Sequence, residues 1–399
     1  MAWWGANEDG PRVLSVYEGF FSGGARVLHT SVVRSLETTT AQQHSVLSLT
    51  DRSVREATTQ RAFDDAGYRR LAEAGIPITA LCRQVTDPWS ELDLATVERL
   101  SGAADVVLSL KEQPLGALAA TGAGGTPVIT CLHRSDPEHQ GRALEDLVRL
   151  VDQGVVAAAA CCAESTQAAY HAATGIPLAQ LPVIPNGVDL RRFRPSADER
   201  IGLRRELGAA DDAPVLVLAA RFDPMKDVGL FVRAAASFVR ARPDAHLVLC
   251  GAGMSATNPA LTGLLGAALA RWPGADRQVH LLGIRTDMPR LYNAADLVVL
   301  TSAYGEAAPL SLLEGMACGA VPVTMSVGDA AAMVGDPRLV VGRDPVEVAR
   351  GWLAAYEQRE EHAERIHRDR QRLSDQRCFD AYAALVAEVA SGAELDLAG

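Results

Sequence analysis

Short apolar runs rich in β-branched residues recur along this chain with helix-length segments between them, at residues 12–17, 45–49, 77–81, 105–110, 127–132, 155–162 and 181–184. Runs of this length, apolar throughout and bounded by turn or helix signals, read as strands covered on both faces, which means a parallel sheet with helices on either side. After Pro185-Asn186-Gly187 the chain turns charged as far as Arg204, and the rhythm then restarts at residues 214–220, 245–251, 279–283, 296–301, 321–325 and 338–341. A chain of 399 residues is long enough for two cores. The reading is therefore α/β, with two Rossmann-like doubly wound domains, 1–188 and 189–375. Cys378, Phe379, Tyr382, Leu385, Val386 and Val389 recur at three- and four-residue steps. They give a terminal helix, about 376–391, one apolar face that packs back on the N-terminal domain, across the junction.

Composition narrows the partners. A net charge of −11 disfavours a protein that grips nucleic acid by neutralising phosphates. The seven cysteines contain no Cys-x-x-Cys and mostly sit in apolar runs, as reduced core residues of a cytoplasmic protein do. The longest apolar stretch, 155–163, falls short of the roughly 20 residues that span a bilayer. Residues 1–10 have neither a basic start nor a long apolar region, so no secretory signal is expected. The histidines lack metal-ligand spacing, and no Asp-x-Asp follows a strand, so neither a metal nor another cofactor is expected. No G-x-S-x-G elbow is present.

Several strand ends carry residues suited to ligands. Glu306 lies just before a helix that tolerates Pro309 in its first turn, and Glu314 lies about a turn and a half inside it. Two acceptor-only carboxylates at that edge suit a polyhydroxylated ligand, although Glu306 would equally complement a helix dipole. Arg221 and Lys226, five residues apart in a strand-to-helix loop, can place two cations on one diphosphate; an Arg–Asp surface pair is the alternative. Gly23 and Gly24 either let a ligand approach the backbone or make a tight turn. His133 closes the strand at 127–132, and Lys111 with Glu112 holds the equivalent place on a neighbouring strand. Arg52, Arg55, Arg61, Arg69 and Arg70 form a loose basic group expected on helix. Gly251-Ala252-Gly253-Met254-Ser255-Ala256 fits a dinucleotide fingerprint, but Asn258-Pro259 interrupts the helix that should follow, and no acidic residue ends a later strand at the required distance.

Glu306-x7-Glu314, Arg221 with Lys226, Pro185-Asn186-Gly187-Val188-Asp189-x3-Phe193-x-Pro195, and Leu291-Tyr292-x-Ala294-Ala295-Asp296 occur in one chain. As a set they resemble the retaining nucleotide-sugar glycosyltransferases of family four, densely from about 181 to 341 and more weakly before it. The resemblance implies a GT-B fold, two facing Rossmann-like domains with an interdomain cleft that closes on the donor. It implies that Glu314 holds the ribose, Glu306 the donor sugar, and Arg221 and Lys226 the diphosphate, with Gly23 and Gly24 approaching it. His133 would stand near the transferred sugar. Gly283, Ile284 and Arg285 would border the base, with Ala308 and Leu310 also on the donor.

Two departures from the family pattern are Ala307, where glycine is usual, and Arg134, where an aspartate is usual. The implied reaction is a metal-independent transfer with retention, in which the leaving β-phosphate helps deprotonate the acceptor. The donor expected first is a UDP-sugar and second a GDP-sugar. The acceptor expected is the hydroxyl or thiol of a small polar molecule of specialised metabolism. A lipid-linked or polysaccharide acceptor, a non-catalytic nucleotide-sugar-binding protein, and an epimerase or phosphorylase are the rivals.

Overall fold

The computed structural model describes residues 10–21, 23–55 and 58–392. The reading of residues 1–10 as lacking a signal therefore falls, except for Gly10, outside the described residues. The chain divides into two units, Met1–Asn186 with Gln376–Gly399, and Gly187–Asp375.

The first unit holds strands β1 Arg12–Tyr17, β2 Gln43–Ser48, β3 Arg52–Arg55, β4 Thr58–Arg61, β5 Ile78–Ala80, β6 Val106–Leu110, β7 Val128–Leu132 and β8 Val156–Cys161. Six of them form a parallel sheet in the order β5-β2-β1-β6-β7-β8. The order reverses between β1 and β6, so β1, β6 and β7, which are followed by the Gly23 loop, Lys111–Glu112 and His133, are neighbours. Both faces are covered, which is why β6 and β7 are buried at every position. The terminal helix Gln376–Ala390 buries Cys378, Phe379, Tyr382, Leu385, Val386 and Val389 and packs on the helix Gly24–Thr39.

The second unit holds β9 Val215–Ala219, β10 His246–Cys250, β11 Val279–Leu281, β12 Leu297–Val299, β13 Val321–Met325 and β14 Val340–Val341, all parallel, in the order β11-β10-β9-β12-β13-β14. Its order reverses between β9 and β12. Asp296, just before β12, accepts the amide of Val215 (2.8 Å) and binds Arg200 (2.5 Å) and Arg204 (3.2 Å). That end of the Leu291–Asp296 motif thus ties β12 to β9 and to the helix Ala197–Leu207. Asn293 of the same motif accepts from the amide of Ser196 (2.7 Å).

Three expectations are corrected. Residues 181–184 form no sheet strand. Val183 makes a single bridge to Cys161, because Pro182 and Pro185 bring no amide hydrogens for a ladder. Arg52, Arg55 and Arg61 sit on the antiparallel hairpin β3–β4, where Ser53 opposes Gln60 and Val54 opposes Thr59; Arg69 and Arg70 alone are helical. Asn258-Pro259 starts a helix, Pro259–Leu269, with the Asn258 side chain capping it. All seven cysteines are free thiols and six are buried; Cys82 is exposed.

Candidate functional site

Lys226 and Glu306 emerge on either side of the point where the second sheet reverses its order, Lys226 after β9 and Glu306 after β12. The outer carboxyl ends of strands at such a point are where open α/β sheets bind ligands. The two side chains form an ion pair, with Glu306 Oε1 also accepting Ser302 Oγ at 2.5 Å. Both are largely withdrawn from water, at 15% and 7% side-chain exposure, so the charges survive by pairing.

The local backbone fixes this geometry. Pro224–Lys226 is one turn of tight helix, and Asp227 then takes φ +40, a left-handed conformation rare outside glycine. Asp227 is held there by capping the helix Val228–Ala241 through Leu230 N (2.9 Å). Thr301 Oγ1 donates to the carbonyls of Lys226 (3.1 Å) and Asp227 (3.2 Å), and Ala303 N donates to the Met225 carbonyl (2.8 Å). On the other side, Gly328 at φ +56 lies so close that a Cβ there would stand 2.0 Å from the Glu306 carbonyl oxygen. Ala307, buried, has no left-handed φ and accepts from Asp329 N (2.9 Å), so alanine is accommodated where the family pattern has glycine.

Pro309 stands at the N-cap of the helix Leu310–Cys318, one position outside its expected place, with Ala308 just before it and Leu310 opening the helix. Glu314 faces Tyr292, whose buried hydroxyl is pushed well above its usual range by desolvation and then by the Glu314 charge and hydrogen bond. Arg221 pairs with Asp223 (3.3 Å), the arrangement its alternative reading described. Gly283 takes φ +59 and exchanges hydrogen bonds with the loop after β10, to Met254 O and from Gly251 N, both 2.8 Å. Ile284 is exposed and Arg285 pairs with Asp287. The fingerprint-like Gly251 has a packing cause: a Cβ there would lie 2.1 Å from the Ala220 carbonyl.

In the first unit the corresponding edge is governed by desolvation. His133 is lowered to about 3 by burial and then by the Lys111 charge, so it is a neutral imidazole, with Nε2 buried and unpartnered. Glu112 is buried and raised to about 6, with Oε1 unpartnered. Lys111 takes φ +69, its carbonyl accepting Ser109 Oγ (2.8 Å) and Thr130 Oγ1 (3.1 Å). Arg134 forks onto Asp136, which is 3% exposed. Gly23 is extended, and a Cβ on it would meet nothing within 4 Å, so the fold itself does not require glycine there. Gly24 opens the helix on which Arg26 lies buried over the rings of Tyr17 (4.8 Å) and Phe21 (4.4 Å).

The structure thus joins Lys226 to Glu306 and gives Arg221, Arg285 and Glu314 partners outside the predicted set. Residues that sequence reasoning missed are Ser302, Thr301, Asp227, Tyr292 and Gly328. Among the described residues no group of three or more His, Cys, Asp or Glu is placed to hold a metal. No helix among them is long and apolar enough to cross a membrane.

Residues 213–358 match the family model described as Glycosyl transferases group 1. A D-inositol 3-phosphate glycosyltransferase of Geodermatophilus obscurus is 33% identical over 231 residues, 54% of this chain and 50% of the relative. One of Catenulispora acidiphila is 32% identical over 253 residues, 56% of each. The chain thus spans about half the length of the curated relatives it matches. Among solved structures, Anabaena HepE in complex with UDP-glucose superposes with a TM-score of 0.77 at 22% identity, over 96% of this chain and all of that one. Sucrose-phosphate synthase of Thermosynechococcus elongatus gives 0.69 at 16% identity over 96% and 100%. The chain is similar to glycosyltransferases of the family-four type, and its two parallel-sheet α/β units have the GT-B fold.

Proposed function

We propose that the chain is a retaining glycosyltransferase that takes a sugar from a nucleotide diphosphate, UDP first and GDP second, and passes it to the hydroxyl or thiol of a small polar acceptor. The observation that carries this reading is the Lys226–Glu306 pair at the reversal point of the second sheet, inside the segment that matches the glycosyltransferase model. An ammonium only donates and a carboxylate only accepts. A buried pair of this kind is matched by a ligand that presents an anion beside hydroxyl groups, which is what a nucleotide sugar offers at its diphosphate and hexose. On binding, Lys226 turns to the phosphate oxygens and Glu306 to the sugar hydroxyls, so the ammonium keeps an anionic partner and the carboxylate keeps hydrogen-bond donors.

The chemical need is to stabilise the charge that develops on the departing diphosphate. Lys226 and Arg221 supply fixed cations for it, a contribution that grows as the bond breaks. Glu314, oriented by Tyr292, is assigned the ribose, and Gly283, Ile284 and Arg285 the border of the base. His133, Gly23 and Gly24 keep the roles the resemblance implies. A neutral His133 would bond a sugar hydroxyl without adding positive charge. The UDP in the HepE complex supports the choice of base. The D-inositol 3-phosphate acceptors of the curated relatives support a small polar acceptor.

The test is transfer from UDP-glucose and GDP-mannose to a panel of polyols, phosphorylated polyols and thiols, with EDTA present and the product anomer read by NMR. Release of free nucleotide diphosphate with retained configuration supports the reading. Nucleotide binding without turnover on any acceptor would favour a binding protein, and an inverted product would overturn the mechanism.

A further inference from the structure

Arg343 lies just beyond β14, at the carboxyl edge of the second sheet and far in sequence from Lys226 and Glu306. Its guanidinium reaches two loops at once. One nitrogen, Nη2, pairs with Asp227 Oδ2, the residue that follows Lys226; the other, Nη1, donates to the Ser302 carbonyl at 3.3 Å. Ser302 is in turn the residue whose hydroxyl donates to Glu306. The planar fork of arginine suits such a double contact, which a lysine could not reproduce.

We propose that Arg343 is a positioning residue, a clamp between the Lys226 loop and the Glu306 loop that sets the relative placement of the two charges. The proposal rests on the donor-site reading given above. Asp227 needs such a clamp because its left-handed φ of +40 is unfavourable for a side-chain-bearing residue and persists only where neighbours over-determine it. The Leu230 amide holds Asp227 Oδ1, which leaves Oδ2 to Arg343. Arg233 also approaches Asp227, at 3.9 Å from Oδ1, but it lies on the same helix that Asp227 caps and cannot fix that helix against the Ser302 loop. The Arg343 side chain is 49% exposed, so the ion pair adds little to global stability, and its effect is on geometry. A displacement of about 1 Å between groups that act on one bond is enough to cost on the order of a hundredfold in rate.

The test uses the full chain with Arg343→Ala, Arg343→Lys, Asp227→Asn and the double variant Arg343→Ala/Asp227→Asn. Hydrogen exchange of the segments 225–230 and 301–306 needs no substrate, so it separates this proposal from the donor-site reading. The clamp predicts that Arg343→Ala raises exchange at least threefold in both segments together while the melting temperature moves by less than about 2 °C. It also predicts a five- to twentyfold fall in kcat for transfer, partial recovery with lysine, and no further loss in the double variant beyond Arg343→Ala alone. Wild-type exchange in either segment would overturn the clamp, as would a fall in activity that tracks a lowered melting temperature. If the wild type binds no nucleotide but the exchange result holds, the donor-site reading has failed and the clamp between the loops has not.

Discussion

The carboxyl edges of the two sheets solve the problem of polar groups at a strand end in opposite ways. At the N-terminal edge, burial dominates: His133 is lowered to about 3 and Glu112 raised to about 6, so desolvation drives both toward their uncharged forms. At the C-terminal edge the charges are kept and matched, Lys226 with Glu306, Arg221 with Asp223, Arg285 with Asp287 and Arg343 with Asp227. Two parallel sheets of the same strand order thus present chemically different edges. Topology alone does not set which groups a strand end can hold; the local balance of burial and partners does. An edge of paired charges is suited to an ionic ligand that replaces one partner, and an edge where burial disfavours charge on His133 and Glu112, beside the Arg134–Asp136 pair, to hydrogen bonding with a neutral one.

The contrast breaks most directly at Lys226. Lys226→Ala is expected to lower transfer by a hundredfold or more, since removing a comparable stabilising donor costs about 2.7–4 kcal/mol of barrier. The variant also abandons the buried Glu306 carboxylate, which costs on the order of 3 kcal/mol of stability. Lys226→Ala/Glu306→Gln should recover the melting temperature and not the activity. Recovery of both would show that the pair is structural only.

Next in size is Gly328→Ala. Its left-handed φ alone is worth about 1–3 kcal/mol to an alanine, and the added Cβ must push on the Glu306 carbonyl. Chemical denaturation and donor binding should both weaken. An unchanged nucleotide affinity would mean that the position of the Glu306 loop does not matter to the ligand.

Glu112→Gln sharpens the contrast from the other edge. The folded state holds the Glu112 proton up to about 6, whereas an ordinary glutamate releases it near 4.5, so this group's stabilising contribution is complete below 4.5 and lost as pH rises through 6. The loss is about 2 kcal/mol at 1.36 kcal/mol per pH unit. The glutamine variant should flatten the stability profile between those values and be the more stable chain at pH 7. An unaltered slope would show that Glu112 is ionised in the fold.

The smallest expected effect on stability is that of Arg285→Ala. Its pair with Asp287 is partly exposed and worth below about 1 kcal/mol, so the melting temperature should scarcely move while nucleotide affinity falls. A large loss of stability would assign Arg285 to the fold and not to the base.

The sheet rhythm was legible because buried parallel strands are apolar on both faces, and twelve of the thirteen runs read from sequence coincide with sheet strands. The exception, 181–184, is as apolar as the others, and what decides against it is the missing donors of Pro182 within it and Pro185 after it. The hairpin Arg52–Arg61 was hidden because its arginines read as one face of a helix, although Thr58 and Thr59 are a strand signal. At the site, the residue types and strand ends were legible, but the pairing of Lys226 with Glu306 was not, because 80 residues separate them and each had a plausible ligand of its own. Arg343 gives no motif signal at all. Its proposed role is visible only in the fold, where a long side chain from the loop after β14 reaches the loops after β9 and β12 at the carboxyl edge that the three strands share.

The proposed function depends first on whether the paired charges at the C-terminal edge receive a nucleotide diphosphate. Its most direct test is thermal unfolding of the wild type, Lys226→Ala and Arg221→Ala with UDP, GDP, ADP, CDP and dTDP, without added metal. One selective diphosphate, at 100 times its dissociation constant, is expected to stabilise the wild type by about 2.7 kcal/mol, with most of that gain lost in both variants. No stabilisation by any of the five, or the same gain in the variants as in the wild type, would contradict it.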